Sequence, residues 1–291
     1  MQIVNIAAYR FIPLPAVQAL REPIKSACVA HGLKGTVLIA PEGINLFLAG
    51  FREGIDGFLA AVADDSRLSA IFDQLPIKES YSDKQPFRRM LVRIKKEIIT
   101  MKCPAIAPAE GRAPAVAPAT LARWLDQGQD DDGRPVLLLD TRNAFEVALG
   151  SFKHALDFEI SRFSEFPDAY GQAVKAGRID PKTQHIVTFC TGGIRCEKAA
   201  IYLAEQGALA VTQLDGGILK YFETCGGAHW QGECFVFDDR VALDPDLLPT
   251  DTVQCYACRS IVSVAEQSDP RYVLGESCPH CAKVREAIPA E

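Results

Sequence analysis

Between residues 136 and 224 short apolar runs alternate with helical patterns, and this alternation constrains the fold more than any other feature. Val136-Leu137-Leu138-Leu139 and Ile186-Val187-Thr188-Phe189 are too apolar to show either face to water. Such strands are buried on both sides, and helices between them make the sheet parallel. Thr120 is expected to cap a helix over 121–125, with strands at 136–140, 186–189 and 211–214 and helices at 194–206 and 218–224. The fold class is α/β, a central parallel sheet with helices on both faces. Sites in open sheets of this kind form at the carboxyl ends of strands. The second apolar run ends in Cys190.

Cys190-Thr191-Gly192-Gly193-Ile194-Arg195 fills the gap between that strand and the next helix. Two glycines let the backbone curl until several N–H groups face one centre. The positive end of the helix and the Arg195 charge act in the same direction. Together they favour thiolate over thiol, and they suit a persulfide anion or a bound oxyanion equally. The plainer alternative is a structural cysteine beside a glycine turn. The coincidence of glycines, helix start and arginine argues for a reactive one. Cys196, at the start of the helix, is expected to point away from the loop and pack against the sheet, with a resolving thiol as the alternative. Asp140 and Glu146 are read as holding the loop and its arginine rather than as an acid–base pair.

At 291 residues the chain is long for one core. Its first hundred residues suggest strands at 3–8, 35–40, 44–49, 76–80 and 88–99, with helices at 15–31 and 52–63. That order fits a ferredoxin-like α+β sandwich. An Ala/Pro-dense stretch from Cys103 to Pro118 cannot build a core and reads as a linker, or a strap on the next domain. The expected organisation is residues 1–102 for the α+β domain, 103–118 for the linker, 119–232 for the α/β domain and 233–291 for a cysteine-bearing tail.

The net charge of −6 argues against a uniformly basic nucleic-acid binder, yet it is unevenly placed. Residues 1–103 hold 14 Lys+Arg against 10 Asp+Glu, a net of +4, leaving 17 against 27, a net of −10, for the rest. Charge separated in this way can steer a polyanion to one face. Lys84, Arg88, Arg89, Arg93, Lys95 and Lys96 form a strip able to neutralise several phosphates, with Tyr81 and Phe87 beside it to stack an unpaired base. The alternative is a solvated strand edge guarded by cations.

No apolar run approaches the length of a membrane span, and the N-terminus lacks the basic–apolar–small order of a signal peptide. The expected location is the cytoplasm, with no membrane partner. There the 10 cysteines should be thiols, metal ligands or catalytic groups. Cys255, Cys258, Cys278 and Cys281 make two tight pairs with 19 residues between them. That spacing suits one structural zinc with four thiolates, and a tail with few apolar residues needs such a staple. His280, inside the second pair, is a poor further ligand, and Cys28, Cys103, Cys225 and Cys234 fit no comparable pattern.

The Cys190–Arg195 loop resembles the active loop of the rhodanese superfamily, with Asp140-Thr141-Arg142, Glu146 and Leu214-Asp215-Gly216-Gly217 resembling its flanking motifs. Related phosphatases have a loop one residue longer, so the shorter loop favours sulfur or other thiolate chemistry. The whole chain is similar to a narrower group, the rhodanese-domain tRNA uridine hydroxylases. Gly35-Thr36-Val37-Leu38-Ile39-Ala40-Pro41-Glu42-Gly43-Ile44-Asn45, Asp140-Thr141-Arg142-Asn143, the run from Cys190 to Ala199, Leu214-Asp215-Gly216-Gly217-Ile218 and Phe237-Asp238-Asp239-Arg240-Val241 carry that likeness. The resemblance implies oxygen-dependent conversion of the wobble uridine of tRNA to 5-hydroxyuridine. It also implies tRNA, through its anticodon region, as partner, molecular oxygen as co-substrate, and Cys190 as the essential thiol, a persulfide intermediate. It leaves the electron or sulfur donor unassigned. No flavin or nicotinamide fingerprint and no His/His/carboxylate cluster stands in the sequence. Two rival readings are a sulfurtransferase carrying sulfane sulfur on Cys190, and a non-catalytic RNA-binding adapter, which has no reason to assemble a thiolate nest.

Overall fold

The computed structural model describes residues 2–286, so the end of the expected 233–291 tail lies outside the described residues. The chain divides into two compact units, Met1–Ala113 and Pro114–Glu291. The first unit runs β1 (Ile3–Phe11), α1 (Val17–Ala30), β2 (Lys34–Ala40), β3 (Gly43–Gly50), α2 (Arg52–Asp64), α3 (Ser69–Phe72), β4 (Lys78–Ser82) and β5 (Met90–Ile94). Its sheet has the order β4-β1-β3-β2-β5. The expected hairpin closes with Ala40 opposite Gly43, and β5 joins the edge parallel to β2. The ferredoxin-like order is thus present, extended by one edge strand.

Helical spacing decides what covers this sheet. Leu20, Ile24 and Cys28 from α1, and Ile55, Phe58 and Val62 from α2, recur every three or four residues. They pack on Ile6, Val37, Ile39, Leu46 and Leu48 in one apolar core. Burying each large side chain contributes roughly 1.5–3 kcal/mol. Strand β5 is shorter than the expected 88–99. Its ladder with β2 ends where Lys95 donates to the Ile39 carbonyl. Beyond it the Glu42 carboxylate takes the Ile98 amide, and Glu97 takes those of Met101 and Lys102, so the chain turns away from the sheet.

The second unit begins with β6 (Ala115–Val116), α4 (Pro118–Gln127), β7 (Val136–Asp140), α5 (Ala144–Val147), β8 (Gly150–Phe152), α6 (Phe166–Lys175) and β9 (His185–Phe189). It continues through α7 (Ile194–Glu205), β10 (Ala210–Leu214), α8 (Gly217–Cys225), β11 (Trp230–Gly232), β12 (Cys234–Phe235) and β13 (Ala242–Leu243). The tail holds β14 (Val253–Gln254), β15 (Ile261–Val262), α9 (Val264–Gln267) and α10 (Pro279–Glu286). Four strands pair in parallel in the order β6-β10-β9-β7. All of β9 is buried, as its composition requires. The Ala/Pro stretch is not featureless, since Ala115 and Val116 pair with Gln213 and Leu214.

Thr120 does not cap α4. The helix starts three residues earlier than expected, with Ala117 as cap and Pro118 in the first turn. Proline fits there because the first amides of a helix have no internal partner to lose. Phe152 then organises the core beneath the end of β9. It meets Phe189, Tyr221 and Trp230 edge-to-face, with centroids 5.0, 4.7 and 5.1 Å away. Phe189 immediately precedes Cys190, so these contacts fix where the strand delivers its cysteine. Among the described residues no helix is long and apolar enough to cross a membrane.

Candidate active site

Cys190 leaves β9 fully buried, with the loop wrapped around its sulfur. The Gly193 amide donates to Sγ at 3.1 Å, and the Arg195 amide also hydrogen-bonds the sulfur. Of the two loop glycines only Gly193 is left-handed, with φ 101°, at the cap of α7. Gly192 is half-exposed and has open space where a Cβ would stand. The outer face of the loop is therefore open there. Its inner side is tied down by α8, where the Ile218 and Leu219 amides donate to the Cys190 and Thr191 carbonyls. That approach depends on Gly217, whose φ is 68°, since a Cβ there would lie 2.5 Å from the Cys190 oxygen.

Two buried ion pairs hold the frame. Arg195 grips Glu146 through both guanidinium nitrogens at 2.6 and 2.7 Å. Arg142 bonds Asp140 and the Gly150 carbonyl, while Ser151 donates to the same aspartate. Asp140 and Glu146 thus hold arginines rather than face each other as an acid and a base. Thr141 ties this segment to β9 by donating its amide and hydroxyl to the Phe189 carbonyl, both at 3.0 Å.

Cys196 does not point away from the loop. It is fully buried, its thiol hydrogen-bonds Cys190, and its sulfur lies 3.8 Å from the Thr141 hydroxyl. The loop curls back over the first turn of α7, so the two sulfurs meet despite their spacing. Burial pushes the Cys190 thiol up, but the Cys196 thiol, the Arg195 charge and the two amides outweigh it and bring the pKa down to about 5. Burial and the neighbouring Cys190 thiolate push Cys196 well above the ordinary thiol range. One sulfur is thereby made acidic and its neighbour kept a donor. Cys28 and Cys234 are pushed up to about 12 by burial, which at Cys234 outweighs the Arg142 charge and the Thr191 hydrogen bond.

All six predicted cations are exposed, but the fold splits them: Arg88, Arg89, Arg93, Lys95 and Lys96 lie along and beside edge strand β5, whereas Lys84 follows β4, which with Tyr81 forms the opposite edge of the sheet. Glu97, the acid among them, spends both carboxylate oxygens on backbone amides. Tyr81 is 49% exposed and Phe87 half-buried. In the tail, the four sulfurs of Cys255, Cys258, Cys278 and Cys281 lie within 4.8 Å of one another. Pairs at 4.0, 3.6 and 3.9 Å match the edge of a tetrahedron. Zinc–sulfur bonds of about 2.3 Å give an edge of roughly 3.8 Å. His280 turns instead to Glu266 at 2.8 Å. The core around this cluster is little more than Val262, Val253 and Tyr272. The cluster thus fits a metal such as zinc.

Residues 3–98 match the UPF0176 acylphosphatase like domain, and residues 119–224 match the rhodanese-like domain. The tRNA uridine(34) hydroxylase of Cupriavidus taiwanensis is 59% identical over 281 residues, covering 97% of each chain. That of Burkholderia cenocepacia is 56% identical over 287 residues, covering 99% of this chain and all of its own. Among solved structures, the rhodanese-like domain of an Anabaena protein aligns with 41% of this chain and 79% of its own, at 18% identity and a TM-score of 0.33.

The loop geometry predicts a thiolate well below neutrality. The ultraviolet thiolate absorbance lost in Cys190→Ser should titrate with a midpoint at about 5, rising as pH rises. Arg195→Gln should move that midpoint upward. A wild-type midpoint at the ordinary thiol value of about 8.5 would contradict the arrangement.

Proposed function

Because this chain belongs to the tRNA uridine(34) hydroxylase family, we propose that it hydroxylates uridine 34 of tRNA at C5, with Cys190 as the nucleophile. The acidic, amide-held sulfur is the observation that carries the reading. A thiolate adding to C6 saturates the C5=C6 bond and leaves C5 electron-rich. C5 then bonds to molecular oxygen. Two electrons and two protons from an external two-electron donor, such as a dithiol that leaves as its disulfide, cleave the O–O bond, releasing water and leaving one oxygen on C5. Loss of the C5 proton expels the thiolate and restores the double bond, giving 5-hydroxyuridine. Arg195 and the Gly193 amide hold the sulfur's charge before attack and after departure. Cys196 is placed to donate a hydrogen bond to it at both stages.

The six cations of the first unit serve as phosphate contacts for the anticodon arm, which their exposure supports. The four tail cysteines hold one structural zinc, with no open position for substrate. The work is assigned to the cytoplasm, where tRNA is.

Cys190→Ser should abolish 5-hydroxyuridine in tRNA nucleosides measured by mass spectrometry, while leaving tRNA affinity within about 2-fold, since a buried thiol adds no phosphate contact. Full 5-hydroxyuridine in that variant would end the proposal. Brisk thiosulfate:cyanide turnover with tRNA untouched would favour a sulfurtransferase instead. Metal analysis should return one zinc per chain. Removing it with a chelator should expose the tail to protease while the rest of the chain stays folded, and a metal-free tail equally resistant would refute the zinc.

A further inference from the structure

Large aromatic rings on a surface need a reason, and two stand at the rim of the Cys190 loop. Phe145 is 42% exposed and Phe237 49% exposed. Both meet Phe235 edge-on, at 5.2 and 5.0 Å and near-perpendicular angles, so Phe235 braces both rings. Their position relative to the loop is set by two separate contacts. The Phe235 carbonyl accepts from the hydroxyl of Thr191, the residue after Cys190, at 3.4 Å. Phe145 precedes Glu146, whose carboxylate grips Arg195 at the far end of the loop. Both rings are thus carried by segments tied to the two ends of the loop, whose outer face is open at Gly192.

The turn that presents Phe237 is built under strain. Val241, a buried β-branched residue, takes φ 63°, where a branched side chain is disfavoured. It is held there by reciprocal contacts. The Val236 amide donates to the Val241 carbonyl, and the Val241 amide donates to the Asp238 carbonyl. Arg240 clamps the Asp238 carboxylate through its backbone amide and its guanidinium at 3.0, 2.8 and 2.6 Å. A turn fixed so firmly, with its one large apolar side chain facing out, is a mount for that side chain. It accounts for the Phe237-Asp238-Asp239-Arg240-Val241 motif, to which the thiolate chemistry gives no role.

We propose that Phe145 and Phe237 are the platform on which the unpaired base of uridine 34 stacks while its C6 is held against Cys190. The inference rests on the functional reading above, in which that base is the substrate. A base can reach a thiol beneath a loop only after leaving its own stack, and the stacking energy it gives up has to be replaced. Aromatic faces replace it without reading sequence, and they do so where no phosphate-binding cation is needed. The two rings are positioning residues for the pyrimidine, distinct from the cations of the first unit.

The test compares binding of anticodon stem-loop RNA carrying either uridine or an abasic site at position 34. Wild type should prefer the uridine RNA by about 5- to 150-fold, the equivalent of about 1–3 kcal/mol for a stacked base. The Phe145→Ala/Phe237→Ala double variant should lose that preference while binding the abasic RNA as wild type does. Phe237→Trp should keep it. The ultraviolet thiolate signal of Cys190 should be unchanged throughout. A uridine preference that survives in the double variant, or none in wild type, overturns the proposal. So does its loss together with the thiolate signal, because the rings would then be holding the loop rather than the base. Failure of the functional reading looks different: uridine-dependent binding that depends on both rings, with no 5-hydroxyuridine formed.

Discussion

The bidentate pair between Arg195 and Glu146 is the constraint from which the site follows. Both groups are buried, so each must be neutralised where it lies, and removing one partner of such a pair costs about 3–5 kcal/mol. Glu146 comes from the short helix after β7, and Arg195 from the start of the helix after β9. Their contact sets the end of the cysteine loop against the neighbouring strand–turn. The amide of Arg195 then reaches the sulfur, and its guanidinium contributes charge from beyond the pair. A second buried pair, Arg142 with Asp140, fixes the turn that carries Glu146. The thiolate is thus the uncompensated charge of a set that is otherwise balanced, and the loop amides and the Cys196 thiol complete its solvation.

Much of this was legible in sequence because it depends on local chemistry. An apolar strand ending in cysteine, two glycines and an arginine at a helix start can hardly serve another purpose, and paired cysteines at metal spacing need no tertiary context. Asp140 and Glu146 as holders of the loop and its arginine followed from the same pattern. What escaped depended on three-dimensional return. Helix position alone turns Cys196 away from the loop, whereas the loop's curl brings the first turn of α7 back over Cys190. Thr120 resembles a helix cap in isolation, but Pro118 starts the helix earlier. Phe237 stands in a motif legible in the sequence, but only the fold shows that its ring and that of Phe145 stay uncovered. The exposed flank of Phe145 and the left-handed backbone of Val241 have no sequence signature.

The two units carry different chemistry. The first offers exposed cations, most of them along and beside edge strand β5, with the nearby acid Glu97 occupied by backbone amides. Edge strands often carry such charges to avoid pairing with other chains, so the strip can protect the sheet and bind phosphate at once. The second offers a sulfur that stays charged although buried. The tail cysteines serve neither role. Their sulfurs are grouped closely enough to hold a metal, which would cross-link a segment whose own apolar core is small.

The central claim is that the Cys190 sulfur bonds to C6 of the pyrimidine. An anticodon stem-loop carrying 5-fluorouridine at position 34 tests it most directly, because fluorine at C5 blocks the proton loss that would release the adduct. The account predicts a denaturation-stable protein–RNA conjugate that peptide mass spectrometry maps to Cys190. A conjugate at another residue, or one formed equally well by Cys190→Ser, would contradict it.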